Sequence, residues 1–195
     1  MLHFIGFYDY TVILTYLSLL SAVYGMTLAG QGRFTAAIIC LLVCGFCDTF
    51  DGTVARSKKN RTDDEKAFGI QIDSLCDCVS FGVYPAILCY FMGMNGPVGI
   101  VIISLFSLCA VIRLGFFNVM EIKRQENEGG CNKVYHGLPV TSIAALLPFT
   151  YLFHNMMPEG IFVWVLHILM SLVAFLFIFD FTVKKPDIAK ILTGK

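Results

Sequence analysis

Four aspartates stand at the edges of long apolar runs, where a chain suited to lipid carries little charge. The first pair lies in Asp48-Thr49-Phe50-Asp51-Gly52-Thr53-Val54-Ala55-Arg56, the second in Gly69-Ile70-Gln71-Ile72-Asp73-Ser74-Leu75-Cys76-Asp77. Spacings of i,i+3 and i,i+4 put each pair on one face of a helix. Two such faces turned toward each other make a cup of four carboxylates. All-oxygen donors of this kind suit hard divalent cations, and a cation so held suits a phosphate-bearing substrate. Carboxylates at membrane depth are costly and mark function.

The neighbouring residues fit phosphoryl transfer. Gly52 and Ala55 keep one side of the helix thin, so a second helix or a flat ligand can approach closely. Arg56 offers a planar fork of donors suited to phosphate oxygens. Gly69 precedes the second pair, and Ser80, Gly82 and Pro85 follow it. Pro85 is expected to kink or loosen its helix, with neighbouring polar groups taking up the freed carbonyl. A carboxylate left free or partly free can take a proton from an alcohol. Two other readings use the same residues. The aspartates could pair with Arg56 and the loop lysines, or form the ion site of a transporter. The transporter does not need Gly52, Ala55 and Arg56 in fixed register with them.

These residues must be positioned by spans of a membrane protein. Of 195 residues, 57% are hydrophobic and 14% charged, against roughly a quarter charged in a soluble domain. A net charge of zero gives no footprint for nucleic acid. Six apolar spans are expected, at about 10–29, 34–55, 71–91, 98–117, 138–153 and 161–181. Most approach the roughly 20 residues that cross a bilayer, and the fifth is short. With six crossings, 13 of the 14 Lys and Arg fall on one side and only Arg33 on the other. Basic loops stay cytoplasmic, so both termini and the aspartates are expected on the cytoplasmic face. The expected architecture is all-α and polytopic, a single domain over 1–195 without repeats. The first span has no basic lead or cleavage site that would mark a signal peptide.

Other features are weaker. Cys44, Cys47, Cys76 and Cys78 interleave with the aspartates. Their spacing allows zinc, but the oxygen neighbours favour small apolar packing residues, and a cytoplasmic face disfavours disulfides. The first ten residues suit an interfacial lead-in or a frayed end. The basic residues of 56–66 suit anionic headgroups or a nucleotide, whereas Asp63, Asp64 and Glu65 suit a solvated turn. The polar stretch 121–136 could cap a cytoplasmic site or be mobile. Lys184 and Lys185 lie beside the membrane, and Trp164 suits the interfacial belt. Arg113, near the cytoplasmic end of its span, either snorkels to the headgroups or clamps a carboxylate. His136 suits a plain interfacial position, and His154 and His167 fall toward the other side.

The run resembles the signature of the CDP-alcohol phosphotransferases, D-x-x-D-G-x-x-A-R followed by G-x-x-x-D-x-x-x-D. Every fixed residue of that pattern is present. The spacer from Arg56 to Gly69 is twelve residues where the family usually has eight, an addition of about one helical turn. The stretch Asp73 to Ala86 and the run His136-Gly137-Leu138-Pro139-Val140 are most similar to the phosphatidylserine synthase branch. So is Arg113 with Phe117-Asn118, although Phe116 stands where that branch has a second Arg. The resemblance implies a six-helix enzyme of the cell membrane, working as a homodimer with its site facing the cytoplasm. CDP-diacylglycerol and L-serine would be substrates, giving phosphatidylserine and CMP. Glycerol phosphate and inositol phosphate enzymes share the aspartate core and stay open. Asp48, Asp51 and Asp73 would hold Mg²⁺ or Mn²⁺. Asp77 would be the base and share a metal. Gly52, Ala55, Arg56 and Gly69 would form the nucleotide site, and Arg113 would meet the serine carboxylate.

Overall fold

The computed structural model describes residue 6 and residues 10–57, 62–126 and 134–184. A 3₁₀ turn, Tyr10–Val12, leads into α1 (Ile13–Gly30), which a tight turn joins to α2 (Phe34–Ser57). Next come α3 (Asp63–Asp77), a π-helical turn (Cys78–Val83) and α4 (Tyr84–Phe91), which run on without a break. The long α5 (Pro97–Glu126) follows, then α6 (Ile143–Tyr151) and α7 (Glu159–Ile178). Among the described residues, the one departure from an all-helical chain is a two-stranded antiparallel ribbon, β1 (Val134–His136) against β2 (Thr182–Lys184).

Among the described residues, five stretches are long and apolar enough to cross a membrane: α1, α2, the joined α3–α4, α5 and α7. They mark an integral membrane protein. Its outward surface agrees, for Leu20, Phe46 and Trp164 are each more than 60% exposed. Water does not tolerate such a girdle of large apolar side chains, whereas lipid does.

The fifth expected span, 138–153, differs. Only Ile143–Tyr151 is regular α-helix, nine residues with Pro148 inside. A 3₁₀ turn precedes it (Val140–Ser142) and another follows (His154–Met156). Pro148 removes one donor from the ladder, and the helix runs three residues beyond it. The segment nevertheless runs the length of α7. At one end the Gly137 N–H donates to Phe181 O at 2.8 Å and the Leu138 N–H to Leu176 O at 3.4 Å. At the other, Tyr151 and His154 face Phe162, with ring centroids 6.4 and 5.9 Å apart.

Small residues let the helices approach. Gly25 of α1 faces the Tyr84 ring, which occupies the space a side chain there would need. The Tyr84 hydroxyl donates to Ala37 O in α2. Gly45 of α2 lies so close to Ala144 of α6 that a Cβ added there would come within 2.8 Å of it. Backbones this close pack well without any hydrophobic drive between helices.

Candidate active site

α2 descends toward the end of the bundle from which α3 rises. Tyr84 meets Ala37 near the start of α2, so the antiparallel register brings the end of α3 beside residues 48–51. The four aspartates do meet. The charge of Asp77 is felt with those of Asp73, Asp48 and Asp51. Asp48 and Asp51 are neighbours on α2. Asp73 interacts with both, and its carboxyl comes within hydrogen-bonding reach of Asp51. Asp51 and Asp77 are buried, 8% and 9% exposed.

The donor set fits a hard cation. All four groups are carboxylates, and Asp73 Oδ1 is buried with no hydrogen-bond partner. A buried acceptor of this kind calls for a donor or a positive charge. Among the described residues, no three His, Cys, Asp or Glu side chains are drawn together tightly enough to hold an ion as they stand. Four like charges repel, so the carboxylates gather as neighbours and a bound cation would have to draw them in.

Asp77 ends α3, and the π-helical turn begins with the next residue. The turn has a visible cause. Pro85 has no N–H to give, and the Tyr84 N–H reaches back five residues to Val79 O. Neighbours hold the widened turn from two sides. Ser107 of α5 donates to Gly82 O at 2.9 Å, and Ser18 of α1 donates to the Ser80 hydroxyl at 3.2 Å. The expected loosening at Pro85 is present, and the Ser107 hydroxyl bonds the carbonyl of Gly82 rather than the Phe81 carbonyl that faces the proline. Cys44 behaves as a packing residue, its thiol donating to Ser18 O at 3.3 Å.

Several partners were not visible in the sequence. Ser74, between Asp73 and Asp77, donates to Asn118 Oδ1 of α5 at 2.6 Å. With the Ser107–Gly82 contact this fixes the third span against α5. Asp77 is three residues past Ser74 and Arg113 five residues before Asn118. At a rise of about 1.5 Å per residue, the two lie within about 3 Å of the same depth. The half-buried Arg113 turns toward the chain ahead of α6, where its Nε donates to Leu138 O at 3.2 Å. Its charge interacts with that of Asp180, just past α7. Arg113 is thus level with the cup and held from the side. Ser142 Oγ, in the 3₁₀ turn before α6, is buried without a partner.

Gly52 and Gly69 are half-buried on α2 and α3. Ala55 and Arg56 belong to the last turns of α2, but their side chains lie outside the described residues, as do the basic residues 58, 59 and 61, the His136 side chain and most of the first ten residues. The long spacer is partly helical. Thr62 caps α3, its hydroxyl accepting from the Glu65 N–H at 3.2 Å while Glu65 accepts from the Thr62 N–H at 2.9 Å. Glu65, expected in a solvated turn, therefore closes a capping box.

The profile of the CDP-alcohol phosphatidyltransferase family matches residues 10–180, and the chain belongs to that family. It is 35% identical over 144 residues to the CDP-diacylglycerol–serine O-phosphatidyltransferase of Saccharomyces cerevisiae, covering 70% of this chain and 51% of that protein. It is 35% identical over 141 residues to the archaetidylserine synthase of Methanothermobacter thermautotrophicus, covering 72% and 56%. It is 31% identical over 129 residues to a CDP-diacylglycerol–serine O-phosphatidyltransferase of Helicobacter pylori, covering 65% and 50%. The chain spans about half the length of these curated relatives. No solved structure matches it.

Proposed function

We propose that the protein transfers a phosphatidyl group from CDP-diacylglycerol to the hydroxyl of L-serine, giving phosphatidylserine and CMP. The observation that carries this is the meeting of Asp48, Asp51, Asp73 and Asp77 in one cup. The family and the serine-using relatives supply the substrates. In the step itself, the serine oxygen attacks the phosphorus that bears the diacylglycerol. A new P–O bond forms there, and the bond to the bridging oxygen breaks as CMP leaves with that oxygen. The serine proton passes to a carboxylate of Asp77. Asp77 is the deepest of the four, at the edge of the widened turn, which leaves it suited to an alcohol approaching from the side away from CMP.

Mg²⁺ or Mn²⁺, held by Asp48, Asp51 and Asp73 with Asp77 sharing, would neutralise the pyrophosphate. Gly52 and Gly69, with Ala55 and Arg56, would receive the nucleotide. Arg113 would meet the serine carboxylate.

The proposal includes six crossings, with both ends and the cup on the cytoplasmic side of the cell membrane. The segment over 138–158 supports the sixth crossing. It starts beside the end of α7 and finishes beside its beginning, so it travels the roughly 30 Å that the 20 residues of α7 cover. The one-sided basic charge supports the orientation. The resemblance adds a homodimer.

Purified protein should release CMP only when CDP-diacylglycerol and serine are both present. Asp77→Asn keeps the shape of the side chain but not its basicity. It should lower kcat by roughly 10²–10⁴ while donor binding persists. If donor binding collapses with kcat, Asp77 is chiefly a metal ligand; if kcat barely moves, another group takes the proton.

A further inference from the structure

The chain ahead of α6 and the chain beyond α7 meet at Gly137. Its φ of +66° lies in the left-handed region where a side chain is strained. A Cβ there would lie 3.2 Å from Phe179 O and 3.6 Å from Arg113 Cζ. The Gly137 N–H also donates to Phe181 O at 2.8 Å. Asp180 is therefore held between two residues whose carbonyls touch Gly137, while the Arg113 guanidinium lies against the same glycine. The charge of Arg113, at about the depth of Asp77, interacts with that of Asp180. Asp180 is exposed and Arg113 half-buried, so a solute can reach the pair.

Serine is a zwitterion whose carboxylate and ammonium sit on adjacent atoms, with the reacting hydroxyl one carbon away. We propose that Asp180 is a specificity residue that binds the acceptor's α-ammonium beside the carboxylate on Arg113. This rests on the serine-transferase reading above. The pair offers each charge of the amino acid its opposite, and it leaves the hydroxyl to point toward the cup. An alcohol bearing a phosphate would instead meet repulsion at Asp180. The acceptor class is thus a free β-hydroxy amino acid, read by both of its charges.

The test uses three acceptors: L-serine, ethanolamine, which lacks the carboxylate, and 3-hydroxypropionate, which lacks the ammonium. KM is measured for each, and for CDP-diacylglycerol, in the parent protein, Asp180→Asn, Asp180→Glu and Arg113→Gln. Asp180→Asn should raise KM for serine and ethanolamine about tenfold, the low end for losing one charge-assisted hydrogen bond at an exposed group. It should leave 3-hydroxypropionate and the lipid donor unchanged, and Asp180→Glu should recover most of the loss. Arg113→Gln should show the opposite preference, harming serine and 3-hydroxypropionate but not ethanolamine. If Asp180→Asn harms serine and 3-hydroxypropionate equally, Asp180 only positions Arg113 and the ammonium assignment falls. An unchanged serine KM also overturns it. If the parent protein releases no CMP with serine, the transferase reading fails first, and that result is seen before any variant is made.

Discussion

Replacing Gly137 by alanine tests whether the backbone there exists to seat Arg113. The φ of +66° costs a residue with a side chain about 1–2 kcal/mol. The new Cβ would stand 3.2 Å from Phe179 O and 3.6 Å from Arg113 Cζ. The first contact is tight and the second is ordinary van der Waals contact, so relief must come from backbone movement. The simplest movement lengthens the 2.8 Å bond from the Gly137 N–H to Phe181 O, a loss of about 1 kcal/mol. Together these come to about 2–3 kcal/mol. For a chain of this size, 1 kcal/mol corresponds to about 2–4 °C in Tm, so the variant in detergent should melt about 4–12 °C lower. Movement at Gly137 also shifts Leu138 O, which holds Arg113 Nε at 3.2 Å. Serine KM should therefore rise several-fold while KM for CDP-diacylglycerol stays constant. Two assays decide it, thermal melting and CMP release with each substrate varied in turn. A lower Tm with unchanged serine KM would make the glycine purely structural. An unchanged Tm would refute the strain argument itself.

Three further outcomes follow from the packing and the cup. Gly25→Ala drives a methyl group into the Tyr84 ring; overpacking costs about 1–3 kcal/mol, so thermal melting should show a loss that Gly30→Ala, with only ordinary contact to Phe91 at 3.6 Å, does not. Ser107→Ala removes the donor to Gly82 O at 2.9 Å and should cost about 0.5–1.5 kcal/mol, while Ser107→Thr, which keeps a hydroxyl, should recover most of it in the same melt. Chelation by EDTA should abolish CMP release, and added Mg²⁺ or Mn²⁺ should restore it in the parent protein but not in Asp48→Ala, whose retained melting transition would separate loss of the site from unfolding.

The cup was legible because helices turn fixed spacing into fixed geometry. Two pairs of aspartates at i,i+3 and i,i+4 need only two neighbouring helices to meet. Helix ends were less legible. The apolar run of the fourth span was expected to end at 117, but α5 continues to Glu126. Residues such as Glu121 and Lys123 are good helix formers and need no lipid to stay helical. Thr62 and Glu65 form a capping box whose pattern stands in the sequence, yet the density of charge around it suggested a turn. The ribbon of β1 and β2 has three residues in each strand, too few for any alternation to register. Asp180 could not be found by local pattern, because it interacts with Arg113 of another helix; Asn118 stood out in the sequence, but its partner Ser74 lies on another helix and did not.

Backbone regularity carries information about the site that the side chains do not. Within lipid an exposed carbonyl or N–H has no water to bind, so irregular backbone survives at membrane depth only inside protein or beside a polar cavity. Two such stretches occur here. The π-helical turn begins immediately after Asp77. The Val140–Ser142 turn, together with the chain from Gly137, touches α2, the π-helical turn and α5. Both stretches draw on side chains or neighbouring backbone for their polar groups: Ser107 at Gly82, Arg113 at Leu138 and the end of α7 at Gly137. Elsewhere the bundle is held by small residues and helix ladders, with further 3₁₀ turns at Tyr10–Val12 and His154–Met156. The π-helical turn and the Val140–Ser142 turn thus pack on each other beside α2 and α5, and the Ser142 hydroxyl is buried there without a partner. The π-helical turn begins immediately after Asp77, and the Ser107 hydroxyl on Gly82 O gives its widened backbone a partner that a regular α-helix would not need.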